Sequence, residues 1–192
     1  MTLLALLRHA ETAWSEQGRI QGRADVPLSE TGRARLRAST LPEACRGMRV
    51  ITSPLARCVE TAALLGAPQA LREPRIAEMH WGAWQGATLA ELRGRLGPAM
   101  RENEARGLDF RPEGGESPRE VLGRVRGWLA EIALEGAPTL AVTHRGVIRV
   151  ILAAALDWDM QGAPPAKLDW SAFQLFELGA GGTPAVKRLN LK

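Results

Sequence analysis

A chain of 192 residues, 45% apolar and 24% charged, has the profile of an ordinary globular protein with one sizeable core, which excludes the disordered and fibrous classes. The net charge of +4 comes from 25 Lys plus Arg against 21 Asp plus Glu. These charges are interspersed rather than gathered in a basic stripe, so nucleic acid is not an expected partner while a small anion is. The longest apolar stretch, Gly146 to Leu156, is broken by Arg149 and falls short of the roughly 20 residues a membrane span needs.

The apolar N-terminal run has no basic region before it and no small-residue cleavage site after it, so no secretory signal is expected and the setting is read as cytoplasmic. Cys45 and Cys58 are the only cysteines, and neither has a Cys or His neighbour at metal-ligand spacing. Both read as small buried hydrophobes.

Thr2 to Leu7 is short, continuous and apolar, which predicts a buried strand. Helix-type spacing runs from Ser29 to Cys45 and stops near Gly47, and Arg49 to Thr52 predicts a second buried strand. The stretch "SPLARCVETAALLG" then predicts a helix over 54–65, with Ser53 as N-cap, Pro54 in the first turn and Gly66 closing it. Extended or turning chain follows, with a short strand near Leu71. From Ile76 to Ser117 the sequence is least regular, with short helices predicted near 88–95 and 98–105. Ser117 caps an amphipathic helix over 118–135, Thr139 to Thr143 is a strand, and Gly146 to Leu156 is a buried helix. Two late strands, 172–178 and 185–190, suggest an antiparallel pair. The alternation predicts one α/β domain over 1–192, with three layers, a mostly parallel central sheet and helices on both faces.

Ligand sites of such sheets lie outside the carboxyl ends of the strands. Arg8 and His9 end the first strand, Ser53, Pro54 and Arg57 follow the second, and His144 and Arg145 follow "TLAVT". Cations and a helix N-terminus gathered on one rim repel each other unless an anion sits between them. A phosphoryl group suits them best, because the planar guanidinium forks of Arg8 and Arg57 pair with its oxygens. A neutral imidazole can attack phosphorus and so divide one hard displacement into two easier ones. Of three histidines in the chain, His9 and His144 occupy matching strand ends, while His80 does not. Glu78, in "EMHWGAWQG", is the candidate proton donor to the leaving oxygen, its pKa raised if Trp81 and Trp84 desolvate it.

These segments resemble the motifs of the histidine phosphatase superfamily, the group that includes cofactor-dependent phosphoglycerate mutases and α-ribazole phosphatases. "LLRHAET" is similar to the family's Arg-His-Gly-Glu-Thr signature, "SPLARCVET" to its second arginine motif, "EMHWGAWQG" to its acid-bearing loop and "AVTHRGVIR" to its second histidine motif. "DVPLSETG" at 25–32 and "GGES" at 114–117 also resemble family features. The resemblance implies His9 as nucleophile, Arg8 and Arg57 as phosphoryl clamps, His144 on the same oxygens and Glu78 as proton donor. It further implies that Ser15, Gln21 and Gly22 line the phosphate pocket. Three departures stand out. Ala10 replaces the usual Gly and would be strained if its φ were positive. Ser15 replaces a common Asn, and Arg145 replaces Gly, either facing the pocket mouth to select substrate or simply facing solvent.

Mutases of this family resemble longer chains, with a basic segment after the acid loop that grips a second anionic group. Here only 116 − 78 = 38 positions separate Glu78 from Glu116, which favours hydrolysis of a small phosphorylated metabolite over phosphoryl transfer. No metal or other cofactor is implied. Five arginines between 93 and 111 either read a second anionic group or form a solvated face. The rivals are a mutase, a non-catalytic phospholigand-binding protein and a His-ligated metal hydrolase, the last opposed by the arginines that would repel the ion. The sequence leaves the oligomeric state open.

Overall fold

The computed structural model describes Met1–Lys192. In chain order the first half comprises β1 (Thr2–Arg8), α1 (Ala13–Glu16), α2 (Glu30–Arg37), β2 (Arg49–Thr52), α3 (Ala56–Leu64) and β3 (Leu71–Arg72). The second half comprises α4 (Leu89–Leu96), α5 (Pro98–Glu104), α6 (Pro118–Glu135), β4 (Thr139–Thr143), α7 (Arg145–Ala155), β5 (Phe173–Leu178) and β6 (Pro184–Leu191). The six strands form one sheet in the order β3-β2-β4-β1-β5-β6. β3, β2, β4 and β1 run parallel, whereas β5 pairs antiparallel with both β1 and β6. The expected mostly parallel sheet with an antiparallel edge is therefore present.

β1 shows why its sequence is a continuous apolar run. Leu4 and Leu6 pack into a cluster with Val121, Val125 and Trp128 of α6 and Val147, Ile148 and Ile151 of α7. Ala5 and Leu7 point the other way, against Cys45, Leu140, Phe173, Leu175 and Leu191. On that second face Cys58 and Ala62 of α3 pack on Val142. A strand buried on both faces has no polar alternation to display. Each buried Leu, Ile or Val contributes about 1.5–3 kcal/mol by leaving water, so helices on both faces are needed to realise the stability of the central strands.

Most predicted elements stand within a residue or two of their positions. α6 and β4 coincide with their predicted bounds, and α6 carries the expected Ser117 cap. The segment Ser29–Cys45 is the exception. α2 ends at Arg37 and only a single turn, Glu43–Cys45, follows. Pro42 bars a helix continuous from Ser29 to Cys45, since a proline disfavours helical geometry at the residue before it and cannot donate to a helix ladder. The four-residue α1, closed by a capping box between Thr12 and Ser15, was not anticipated. No helix is long and apolar enough to cross a membrane.

Candidate active site

β2, β4 and β1 are neighbouring parallel strands, so their carboxyl ends share one edge. The ladder continues one residue past each outer strand: the His9 amide donates to the Thr143 carbonyl and the Ser53 amide to the Val142 carbonyl, each at 2.9 Å. Register thus delivers His9, Ser53 and His144 to a common rim. The rings of His9 and His144 lie 5.3 Å apart between centroids.

His9 is only 4% exposed, and its Nδ1 lies 2.7 Å from the Ala10 carbonyl oxygen. A carbonyl can only accept, so Nδ1 carries the proton and Nε2 the lone pair. Burial, reinforced by the charges of Arg8 and Arg57, holds the His9 pKa well below the ordinary histidine value. The ring is neutral near pH 7. The Ala10 amide donates to Thr61 Oγ1 at 3.1 Å, and Thr61 donates in turn to the Arg57 carbonyl at 2.7 Å. Ala10 is not among the residues with positive φ, so replacing the usual Gly costs no backbone strain there.

Arg57 is fully buried. It donates from Nη1 to the Ala24 carbonyl at 2.8 Å and from Nη2 to the Gly22 carbonyl at 2.7 Å, yet its Nε–H is buried without a partner. The Nε–H of Arg8 is likewise buried and unpartnered. Burial lowers the pKa of both guanidinium groups. An unsatisfied buried donor costs about 1–3 kcal/mol, more when charged. Two of them at one rim form a site that an anion would stabilise.

Glu78 is 9% exposed. Its carboxylate accepts the Met79 amide at 2.8 Å and the Gly146 amide at 3.2 and 3.3 Å. Burial raises its pKa, opposed by those two amides and by Arg57 and Arg8. Gly146 in the first turn of α7 lets the carboxylate come this close to the helix backbone, because a Cβ there would fall 2.3 Å from Glu78 Oε1. Trp81 and Trp84 pack with Phe110, ring centroids 5.6 and 5.7 Å from it, and Trp84 joins Leu92 and Met100 in a separate apolar cluster. The Glu78 carboxylate itself packs against the start of α7.

The remaining predicted residues are differently placed. Ser15 Oγ accepts the Thr12 amide at 2.9 Å and donates to the Thr12 carbonyl at 3.0 Å, so its hydroxyl serves the α1 cap. Gln21 is buried, with its Oε1 accepting from Thr12 Oγ1 at 2.9 Å. Gly22 has φ +53°, and a Cβ there would lie 2.3 Å from Gln85 Oε1; its carbonyl holds Arg57. Arg145 is exposed, its guanidinium 4.8 Å from the centre of the Trp170 ring. It opens α7 directly after His144, and its charge, after burial, lowers the Arg8 pKa. Trp170 in turn lines a cavity of about 770 Å³ that His9, Arg8, Arg35, Phe173 and Lys192 also border. All five arginines of the 93–111 segment are exposed, and Arg93 and Arg111 are paired with Glu104 and Glu120. His80 lies apart, with Nδ1 against the Gly114 carbonyl at 3.1 Å.

Two expectations about α3 need correction. Ser53 does not cap it. The N-cap is Leu55, without a side-chain hydrogen bond; the buried Ser53 hydroxyl lies 2.7 Å from His144 Nε2 and accepts the Leu55 amide at 3.4 Å. Nor is the first amide of α3 open to a ligand beside Arg57: the Ala56 amide donates to Asp25 Oδ1 at 2.7 Å. Sequence reasoning missed Ser53 as the partner of His144 because a Ser before Pro at a helix start has a local role ready to hand. Its position one residue past β2, level with the two histidines, was the available signal. Burial leaves His144 neutral as well, helped by the charge of Arg57.

Comparisons with known proteins show what the chain is similar to. A family model described as the histidine phosphatase superfamily, branch 1, matches residues 4–192. A protein of Mycobacterium tuberculosis described as bifunctional is 35% identical across 98% of this chain and 54% of its own length. The chain thus spans about half the length of the curated mycobacterial relatives it matches. A 2,3-bisphosphoglycerate-dependent phosphoglycerate mutase of Gloeobacter violaceus is 31% identical over 95% of this chain and 89% of its own. Among solved structures, mycobacterial glucosyl-3-phosphoglycerate phosphatase in complex with VO3 superposes with a TM-score of 0.80 at 28% identity, over 100% of both chains. With a family match that takes in β1 through β6, and with both histidines and both arginines on one sheet edge, the chain belongs to the histidine phosphatase superfamily.

Proposed function

We propose that residues 1–192 act as one catalytic domain, a metal-independent phosphomonoesterase that works through a phosphohistidine on His9. The observation that carries this reading is the pairing of two buried, unpartnered guanidinium N–H groups, on Arg8 and Arg57, with a neutral imidazole whose Nδ1 is engaged by Ala10. The guanidinium groups bind phosphoryl oxygens, and the Nε2 lone pair of His9 attacks phosphorus. As the N–P bond forms the P–O ester bond breaks, and the leaving oxygen takes its proton from Glu78, whose pKa burial raises. In the second half, Glu78 accepts a proton from water as its oxygen attacks phosphorus, the N–P bond breaks and inorganic phosphate leaves. Arg8 and Arg57 supply the positive charge that a metal supplies elsewhere. The neutral His144, fixed by Ser53, completes the rim.

The shortness of the segment between Glu78 and Glu116, whose five arginines at 93–111 are exposed, supports water over a second phosphorylated acceptor. The substrate class is a small phosphorylated metabolite. Two relatives act, by their names, on phosphoglycerate derivatives, whose carboxylate the exposed Arg145 suits. Two buried thiols in no disulfide, Cys45 and Cys58, support a cytoplasmic setting.

The test is turnover of an aryl phosphate with a chelator present, for wild type and His9→Ala. Full activity in chelator and none in His9→Ala are expected, with an acid-labile phosphoenzyme trapped only in wild type. Turnover by His9→Ala would end the covalent reading, and loss to chelator would end the metal-independent one.

A further inference from the structure

Glu78 sits on a loop, and loops do not by themselves hold a proton donor to the tolerance catalysis needs. The hydrogen bonds around its backbone come chiefly from one side chain. Arg124, in α6, donates from Nη1 to the Arg75 carbonyl and from Nη2 to the Ala77 carbonyl at 2.8 Å and the Glu78 carbonyl at 3.2 Å. The same guanidinium grips Glu116 at 3.1 and 3.2 Å. Glu116 also accepts the His80 amide at 2.8 Å, while its own amide donates to the His80 carbonyl at 2.8 Å. The carbonyls on either side of the catalytic position and the amide two residues beyond are thus tied to one ion pair, between Arg124 of α6 and Glu116 just before that helix.

A third member extends the tie. Arg23 follows Gly22, whose carbonyl holds Arg57. Its Nη2 donates to Glu116 at 3.1 Å, its Nε to the Glu78 carbonyl at 3.4 Å, and its amide to Gln85 Oε1 at 2.7 Å. The loop that seats the phosphate clamp and the loop that bears the acid therefore share one carboxylate. The Glu116 and Arg124 side chains are about four-fifths covered, at 22% and 18% exposure. An ion pair so covered adds little net stability, but its fork geometry defines a position closely.

We infer that Arg124 and Glu116 are positioning residues for Glu78, fixing the proton donor against the phosphate clamp through Arg23. This rests on Glu78 being the proton donor. A group acting through Glu78 matters when the leaving oxygen needs a proton and hardly matters when it does not.

The experiment compares kcat on an alkyl phosphate and on 2,4-dinitrophenyl phosphate for wild type, Arg124→Ala, Glu78→Gln and the double variant. Glu78→Gln is expected to lose about 100-fold on the alkyl ester, Arg124→Ala about tenfold, and both little on the dinitrophenyl ester. The double variant should be no slower than Glu78→Gln, because a displaced acid and an absent one are equally useless. Should Arg124→Ala fail to fold, Glu116→Gln carries the same comparison, with the alkyl-selective loss expected and restored toward wild type by Glu116→Asp. Equal slowing on both esters, or losses that multiply in the double variant, would overturn the inference while leaving Glu78 as the acid. A Glu78→Gln variant without leaving-group selectivity would remove the proton-donor reading, and this inference with it.

Discussion

A methyl group placed on Gly146 should disable proton donation while leaving the fold intact. Built on the present backbone, the alanine Cβ lies 2.3 Å from Glu78 Oε1, 3.3 Å from its Cδ and 3.5 Å from Met79 Cβ. Ordinary contact begins near about 3.5 Å, so the carboxyl oxygen must retreat by roughly 1 Å, a displacement that costs an oriented catalytic group about 100-fold. Stability changes little. The carboxyl is the end of a flexible chain, Gly146 is helical without a positive φ, and alanine gains about 0.5–1 kcal/mol in such a position, offsetting the loss of one net hydrogen bond of similar worth. Pushing the carboxyl away from the Gly146 amide also weakens a hydrogen bond that holds the Glu78 pKa down, so the basic limb of kcat/KM moves to higher pH. Gly146→Ala is to be assayed on alkyl and dinitrophenyl phosphates across pH, with thermal unfolding alongside. A loss of about 100-fold confined to the alkyl ester, at unchanged Tm, is expected. Equal losses on both esters, or a basic limb that stays put or falls, would refute the placement of Glu78 against α7 as the source of its chemistry.

Arg57→Lys keeps the charge but not the fork that spans the Ala24 and Gly22 carbonyls; inhibition by inorganic phosphate should weaken by about tenfold or more, and unaltered inhibition would remove Arg57 from the anion site. The buried rings of His9 and His144 both titrate below the ordinary value. As pH falls below about 6.5 the unfolded chain takes up protons that the folded one refuses, so stability rises with pH across that window, by up to about 1.4 kcal/mol per unit for each ring. Urea unfolding at pH 7 and 5.5 should show the decline, and His9→Asn should make it shallower; an identical slope would mean that His9 is not buried neutral. Arg145→Ala should raise KM for phosphomonoesters with a carboxylate in the leaving group and leave KM for neutral aryl esters alone, and a uniform rise would assign Arg145 to the phosphoryl group itself.

The sequence was legible where chemistry and local geometry coincide. Each strand that ends in Arg8-His9, Ser53-Pro54 or His144-Arg145 is short, apolar and bounded by punctuation, so both the α/β alternation and the rim could be read from periodicity. α6 could be placed to the residue because Ser117, Pro118 and Gly136 mark its ends. The extent of α2 was overread because helical spacing says nothing about Pro42 imposing extended chain before it. Ser53 reads as a local cap because its partner His144 lies 91 residues away, and only its position one residue past β2 points to the rim.

What the sequence by itself determined is therefore the inventory and the order: which strands end in which polar side chains, and that arginines gather among them at one sheet edge. Tertiary structure alone decided which nitrogen of His9 keeps its lone pair, that the Glu78 carboxylate is buried against the start of α7, and that Arg124 and Glu116 hold its loop. The physical reason is range. Strand and helix signals are local and repeat along the chain, whereas protonation and orientation depend on desolvation and hydrogen bonds from groups brought close only when the chain folds.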